Sequence, residues 1–109
     1  PGTEDLSNPY VLPAGLKKLR IQIIGNSFHP KVAVVPPGTE IEWVNEDVFA
    51  FFQGEFSGVH DVVTSDAPEH FTSPLLAHAE RFTKVLTQKG SYSYYCTPHP
   101  YMEGIIRVE

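Results

Sequence analysis

From Lys18 onward the chain consists of short runs of β-branched and aromatic residues, each cut off by glycine or proline. That rhythm points to a sandwich or barrel rather than to helices. Leu19, Ile21 and Ile23 alternate with Lys18, Arg20 and Gln22, so every second side chain falls on one face of a strand ending near Gly25. Val32 and Val34 form a second strand before Pro36-Pro37-Gly38 turns the chain, and Ile41 and Trp43 share a face with Asn45 in a third. The fourth opens at His60 and Asp61 and continues through Val62 and Val63. Arg81 to Leu86 is the next. After Gly90, Tyr92, Tyr94 and Cys96 lie on one face, and Ile106 and Val108 close the series. Residues 65–80 carry Pro68 and Pro74 and read as mostly loop, with one helical turn expected at most, over 75–79.

A chain of 109 residues can enclose one core but not two. The first thirteen residues, with Pro1, Pro9, Pro13, Gly2, Ser7 and Asn8, lack periodicity and are excluded from the core; residues 1–17 are read as an extended tail and 18–109 as the domain. No apolar run of eighteen residues exists to cross a bilayer, and Pro1 follows no basic and apolar leader, so the expectation is a soluble chain, mature or excised from something longer. The net charge of -5 and the scattered basic residues leave no electrostatic footprint for nucleic acid. A lone cysteine excludes an intrachain disulfide and does not identify a redox compartment.

The position of that cysteine is informative. Cys96-Thr97-Pro98-His99-Pro100-Tyr101-Met102 places a thiolate, an imidazole and a thioether within seven residues, directly after an inward-facing strand. Soft sulfur with imidazole selects copper among common metals, and two His, one Cys and a weak axial Met define the blue-copper arrangement. His60 is the best candidate for the second imidazole, because it follows a loop and opens a strand that can share an end of the sandwich with Cys96. A buried thiolate also needs positive charge beside it, which a cupric ion supplies. The competing readings are plainer: Cys96 as a small buried hydrophobe, Met102 as a filler of a core gap, and His60 as a structural histidine. The co-occurrence of Cys96, His99 and Met102 at this spacing weighs against the first two. His29, His70 and His78 are better read as surface residues, and Trp43, Tyr92 and Tyr94 as core.

Gly90 to Glu109 resembles the C-terminal strand, ligand loop and final strand of the amicyanin-like and plastocyanin-like cupredoxins. The two-residue gaps on either side of His99 match the short loop of the amicyanin type, and Phe28-His29-Pro30, Gly38, Ile41, Trp43 and Asn45 extend the likeness over most of 18–109. The resemblance implies a Greek-key β-sandwich of seven to eight strands with one type 1 copper cycling between Cu(II) and Cu(I). His60, Cys96 and His99 would be its equatorial ligands and Met102 its long axial one. It further implies an electron-transfer protein, not an enzyme, with His99 as the electron port inside an apolar face of Pro98, Pro100 and Tyr101. The implied partners are redox proteins such as a cytochrome c or a dehydrogenase or oxidase, met by a monomer in the bacterial periplasm or outside the cell. The alternatives are a copper carrier or sensor and a type 1 domain of a larger redox enzyme. No His-x-His pair is available to build further copper sites within the chain itself.

Two departures from the family pattern stand out. Asp61 replaces the usual Asn after the first ligand, where it can accept a hydrogen bond from Thr97. An ionised Asp61 would favour the cupric state, whereas a protonated one would imitate the amide. Residues 46–59 exceed the amicyanin-type connection and include Phe49, Phe51, Phe52 and Phe56, expected to pack over or beside the ligand end. Glu46, Asp47, Glu55, Asp66 and Glu69 are read as solvated surface.

Overall fold

The computed structural model describes residues 8–109, and at positions 52, 55 and 56 the backbone alone. Its strands are β1 (Tyr10–Val11), β2 (Lys18–Ile23), β3 (Phe28–His29), β4 (Val32–Val35), β5 (Thr39–Asn45), β6 (Ala50–Phe52), β7 (Glu55–Ser57), β8 (Val63–Asp66), β9 (Arg81–Leu86), β10 (Gly90–Tyr95) and β11 (Glu103–Val108). One sheet runs β1-β4-β11-β10-β8, a second runs β3-β2-β5-β9, and β6 and β7 form a separate hairpin. The chain crosses between the two main sheets from β4 to β5 and from β9 to β10, as an all-β sandwich requires. The strand number exceeds the seven to eight expected because β1, β3 and the hairpin are pieces of two or three residues, too short to show a period.

The inward faces follow the alternation of the sequence. Leu19, Ile21 and Ile23 on β2 lie beside Ile41, Trp43 and Asn45 on β5 in parallel register, and all six are buried. Each aliphatic side chain removed from water in this way contributes about 1.5–3 kcal/mol. Tyr94 of β10 joins the sheets, meeting Trp43 edge-on at 5.5 Å and Phe28 at 4.9 Å. Its ring lies over Gly104, its partner on β11, where any Cβ would collide with the phenol.

Three expectations are corrected. Tyr10 to Leu12 belong to the core sheet rather than to a tail: β1 pairs with β4, the Leu12 amide donates to the Val34 carbonyl at 3.0 Å, and Leu12 is buried. Pro9 and Pro13 bracket a short edge strand, a position where a missing donor is tolerated. Residues 1–7 of the expected tail lie outside the described residues. His60 does not open a strand, since β8 starts at Val63. Instead His60 and Leu76 exchange backbone hydrogen bonds of 3.2 and 2.7 Å, and the Ser73 amide donates to the Val62 carbonyl. The segment read as loop is therefore clipped along 60–64 by isolated bridges, with Pro68 and Pro74 interrupting any continuous ladder. A turn at His78 and Ala79 stands where a helical turn was expected. Among the described residues, no helix is long and apolar enough to cross a membrane.

Candidate metal centre

The site forms where β10 ends. Adjacent antiparallel strands β10 and β11 leave Cys96 and Met102 facing each other across a five-residue loop, closed by the Cys96 amide donating to the Met102 carbonyl at 3.1 Å. Inside the loop, the His99 amide donates to the Cys96 carbonyl at 3.2 Å and the Met102 amide to the His99 carbonyl at 2.8 Å. On the other side, β8 pairs antiparallel with β10 through Val63 and Tyr95, which brings the residues before β8 to the same end of the sandwich. His60 thus reaches Cys96 from across the sheet.

His60, Cys96 and His99 converge, their ligand atoms all within 4.8 Å of one another. The Nδ1 atoms of His60 and His99 stand 3.6 and 3.7 Å from Cys96 Sγ. His60 and Cys96 are wholly buried and His99 half-buried. Met102 closes the loop and is buried in the core cluster. The remaining histidines, His29, His70 and His78, are exposed, as expected.

Electrostatics at the cluster suit a cation. Burial pushes the Cys96 thiol above its ordinary range, so a thiolate there calls for a positive partner. Burial also holds the His60 imidazole below its usual value, against the opposing pull of Asp47, and favours a neutral ring able to offer a lone pair. His60 Nε2 lies 2.8 Å from Asp47 Oδ2, an acceptor, which favours the proton on Nε2 and leaves Nδ1 facing the sulfur. Two imidazoles and one thiol around a dry point are the donor set that copper takes.

Asp61 braces the ligand loop as its position suggested. The Thr97 amide and hydroxyl donate to its two carboxylate oxygens, each at 2.6 Å. Asp47, by contrast, is not solvated surface, with a side chain only 16% exposed. It receives the amides of Gly25 and Asn26 as well as His60. Burial pushes its carboxyl up, but these donors outweigh that and hold it below the ordinary carboxylate range. Asn45, on the inward face of β5, is wholly buried. Its amide nitrogen donates to the carbonyls of Gly58 and Leu76, both at 2.8 Å, and its carbonyl oxygen accepts the Asp47 amide. Apart from the short bond between Asn45 and the Asp47 amide, these contacts carry no local sequence signal, because the partners lie 13 to 31 positions away in the chain.

The long connection lies beside the ligand end. Phe49, Ser57 and Val59 line one shallow groove with Leu75, Pro98 and His99. Phe49 and Phe51 are more than half exposed, and the side chains of Phe52 and Phe56 are outside the described residues.

The profile of the copper-binding proteins of the plastocyanin/azurin family matches residues 17–109. The chain belongs to this family. Among curated relatives, amicyanin of Paracoccus versutus is 32% identical over 84 residues, covering 73% of this chain and 55% of the relative. Amicyanin of Paracoccus denitrificans is 28% identical over 75 residues, covering 69% and 53%. The chain therefore spans about half the length of these relatives. Among solved structures, a Cu-containing nitrite reductase from Thermus scotoductus SA-01 matches all of this chain over 27% of its own length, at 44% identity and a TM-score of 0.77. The amicyanin structure from Paracoccus versutus shares the fold at a TM-score of 0.70 and 24% identity, covering 90% of this chain and 85% of that one.

Proposed function

We propose that this chain is a one-electron transfer domain in which His60, Cys96 and His99 would hold a copper ion strongly and Met102 would hold it weakly. The observation that carries the reading is the convergence of the two Nδ1 atoms on Cys96 Sγ at a buried point of the sandwich. Copper bound there supplies a Cu(II)/Cu(I) couple, and every other part of the function belongs to the chain. The sandwich holds His60 and Cys96 from two segments, so the ligand set has little freedom to rearrange between oxidation states. Burial excludes water from the thiolate. His99, half-buried, reaches toward the surface between Pro98 and the groove of Phe49, Val59 and Leu75, with the exposed Tyr101 ring 6.0 Å away. That apolar rim suits the small, brief interfaces of redox encounters, with a cytochrome c or a dehydrogenase or oxidase as the class of partner. We read residues 18–109 as one monomeric domain to which Tyr10 to Leu12 are bound, working in the periplasm or outside a bacterial cell.

A second reading has its own support. The full-length match to part of a copper nitrite reductase favours a type 1 domain that serves a larger enzyme rather than a free carrier. The chemistry assigned to this domain is the same in both cases, and catalysis would reside elsewhere.

The test is the absorption and electron-spin spectrum of the copper-loaded chain beside Cys96→Ser. An intense thiolate-to-copper band is expected in the first and absent from the second. A band missing from both would sink the proposal, and rapid surrender of Cu(I) to a chelator during redox cycling would favour a copper carrier. Nitrite reduction by the isolated domain would overturn the assignment as a non-enzyme.

A further inference from the structure

Outside the ligands, Asp47 is one of two polar side chains described at this end of the molecule that make three hydrogen bonds, the other being Asn45, and it is the one that touches a ligand. Its Oδ1 receives the Gly25 amide at 2.7 Å, and its Oδ2 receives both the Asn26 amide at 3.1 Å and His60 Nε2 at 2.8 Å. Its own amide donates to Asn45 Oδ1 at 2.9 Å, and its carbonyl meets His78 Nδ1 at 3.2 Å. Backbone and carboxylate are thus both fixed, and the ring they face is wholly buried.

We propose that Asp47 is a positioning residue of the metal centre, orienting His60 with Nδ1 toward the metal and lending the ring negative charge that favours the cupric state. The inference rests on the copper reading above. An imidazole has two nitrogens, and an acceptor on Nε2 leaves Nδ1 as the lone-pair atom, here 3.6 Å from Cys96 Sγ. A carboxylate in that place makes the ring more electron-rich than a neutral acceptor would, and its charge is poorly screened because little of the pair meets water. The more highly charged oxidation state gains more from that charge. Asp61 acts by a different route, through the amide and hydroxyl of Thr97, so the two carboxylates can be tested separately.

Asp47→Asn separates charge from position. The amide oxygen can take the place of Oδ2 and keep the bonds to Asn26 and His60, while its NH2 group turns toward the exposed Gly25 amide, where water can serve both donors. The expected result is a retained thiolate-to-copper band with an about tenfold smaller preference for Cu(II) over Cu(I), a rise in midpoint potential of about 59 mV. Asp47→Ala removes both effects. In the metal-free chain, nitrogen NMR of His60 is expected to show one Nε2–H tautomer in the parent and a mixture in Asp47→Ala. An unchanged potential in Asp47→Asn would overturn the charge effect, and an unchanged tautomer in Asp47→Ala would overturn the positioning. If the parent itself shows no thiolate-to-copper band, the copper reading fails, and the tautomer of the metal-free chain still decides whether Asp47 orients His60.

Discussion

The two sides of the cluster are held in opposite ways. The Cys96–Met102 loop is braced from within by three backbone hydrogen bonds among its own residues, and from outside by Asp61 at Thr97 and by a longer bond of 3.4 Å from the Asn26 side-chain amide to the Tyr101 hydroxyl. The arm that delivers His60 folds back on itself in the β6–β7 hairpin, but the described bonds that place the ligand reach to distant segments. Asn45 fastens its far end to Gly58 and, 31 positions away, to Leu76, while Asp47 ties its near end to Gly25, 22 positions back. His60 itself is paired with Leu76. One half of the site is a local structure that the strands present, whereas the other exists only once distant segments have met.

The contrast is most severely tested at Asn45, which is wholly buried. Asn45→Ala leaves the Gly58 carbonyl without its donor and the Asp47 amide without its acceptor, and takes from the Leu76 carbonyl one of its two donors, the other being the His60 amide; the expected loss is about 3–4 kcal/mol of stability, since each stranded buried group costs about 1–3 kcal/mol. Copper affinity should fall by about 10–100-fold through misplacement of His60, as it does when a ligand loses its support. Urea unfolding of the metal-free chain and a copper titration measure the two effects. Copper binding at the parent's affinity would show that the arm does not depend on its long-range fastening.

Gly58 probes the same arm by shape. It has φ +91°, and a Cβ there would strike the carbonyl of Val48. Gly58→Ala should cost about 2–3 kcal/mol from strain in the left-handed region and from the displaced backbone. The band of the copper-loaded form should weaken as His60, two residues on, loses its register. A variant as stable as its parent would mean that the arm can shift without harm.

This division also explains which features could be read from residues alone. Cys96, His99 and Met102 sit within seven positions, and a local frame leaves a local signature. The alternation in β2, β10 and β11 was equally legible, because a strand with one buried face writes its period into the sequence. His60 could be nominated by position, but its surroundings could not. An acidic residue thirteen positions ahead of a histidine resembles any surface aspartate until the Gly25 turn is folded against it. The bridges of residues 72 and 76 were hidden for the same reason, and β1 because two residues carry no period.

A smaller effect marks the boundary of the arm. Three residues before Asn45 on the same strand, Glu42 points to the opposite face, yet it is 2% exposed beneath Arg20, Arg81 and Lys18. Burial pushes its carboxyl up, but the three cations more than offset this and leave it below the ordinary 4.5. A carboxyl lowered by folding stabilises the protein above its unfolded value, and that contribution is lost as the pH falls through the folded one. Glu42→Gln should therefore cost about 1–2 kcal/mol at pH 7, less than a fully buried pair because the cations remain half-exposed. The gap between parent and variant should narrow as the pH drops below about 4.5, followed by urea unfolding of the metal-free chain. Potential and copper affinity should stay unchanged, since the His60 arm begins at Asn45 on the other face of the strand. A shift in either would show that the sheet and the arm move together, and that the long-range half of the site reaches further into the sandwich than its hydrogen bonds indicate.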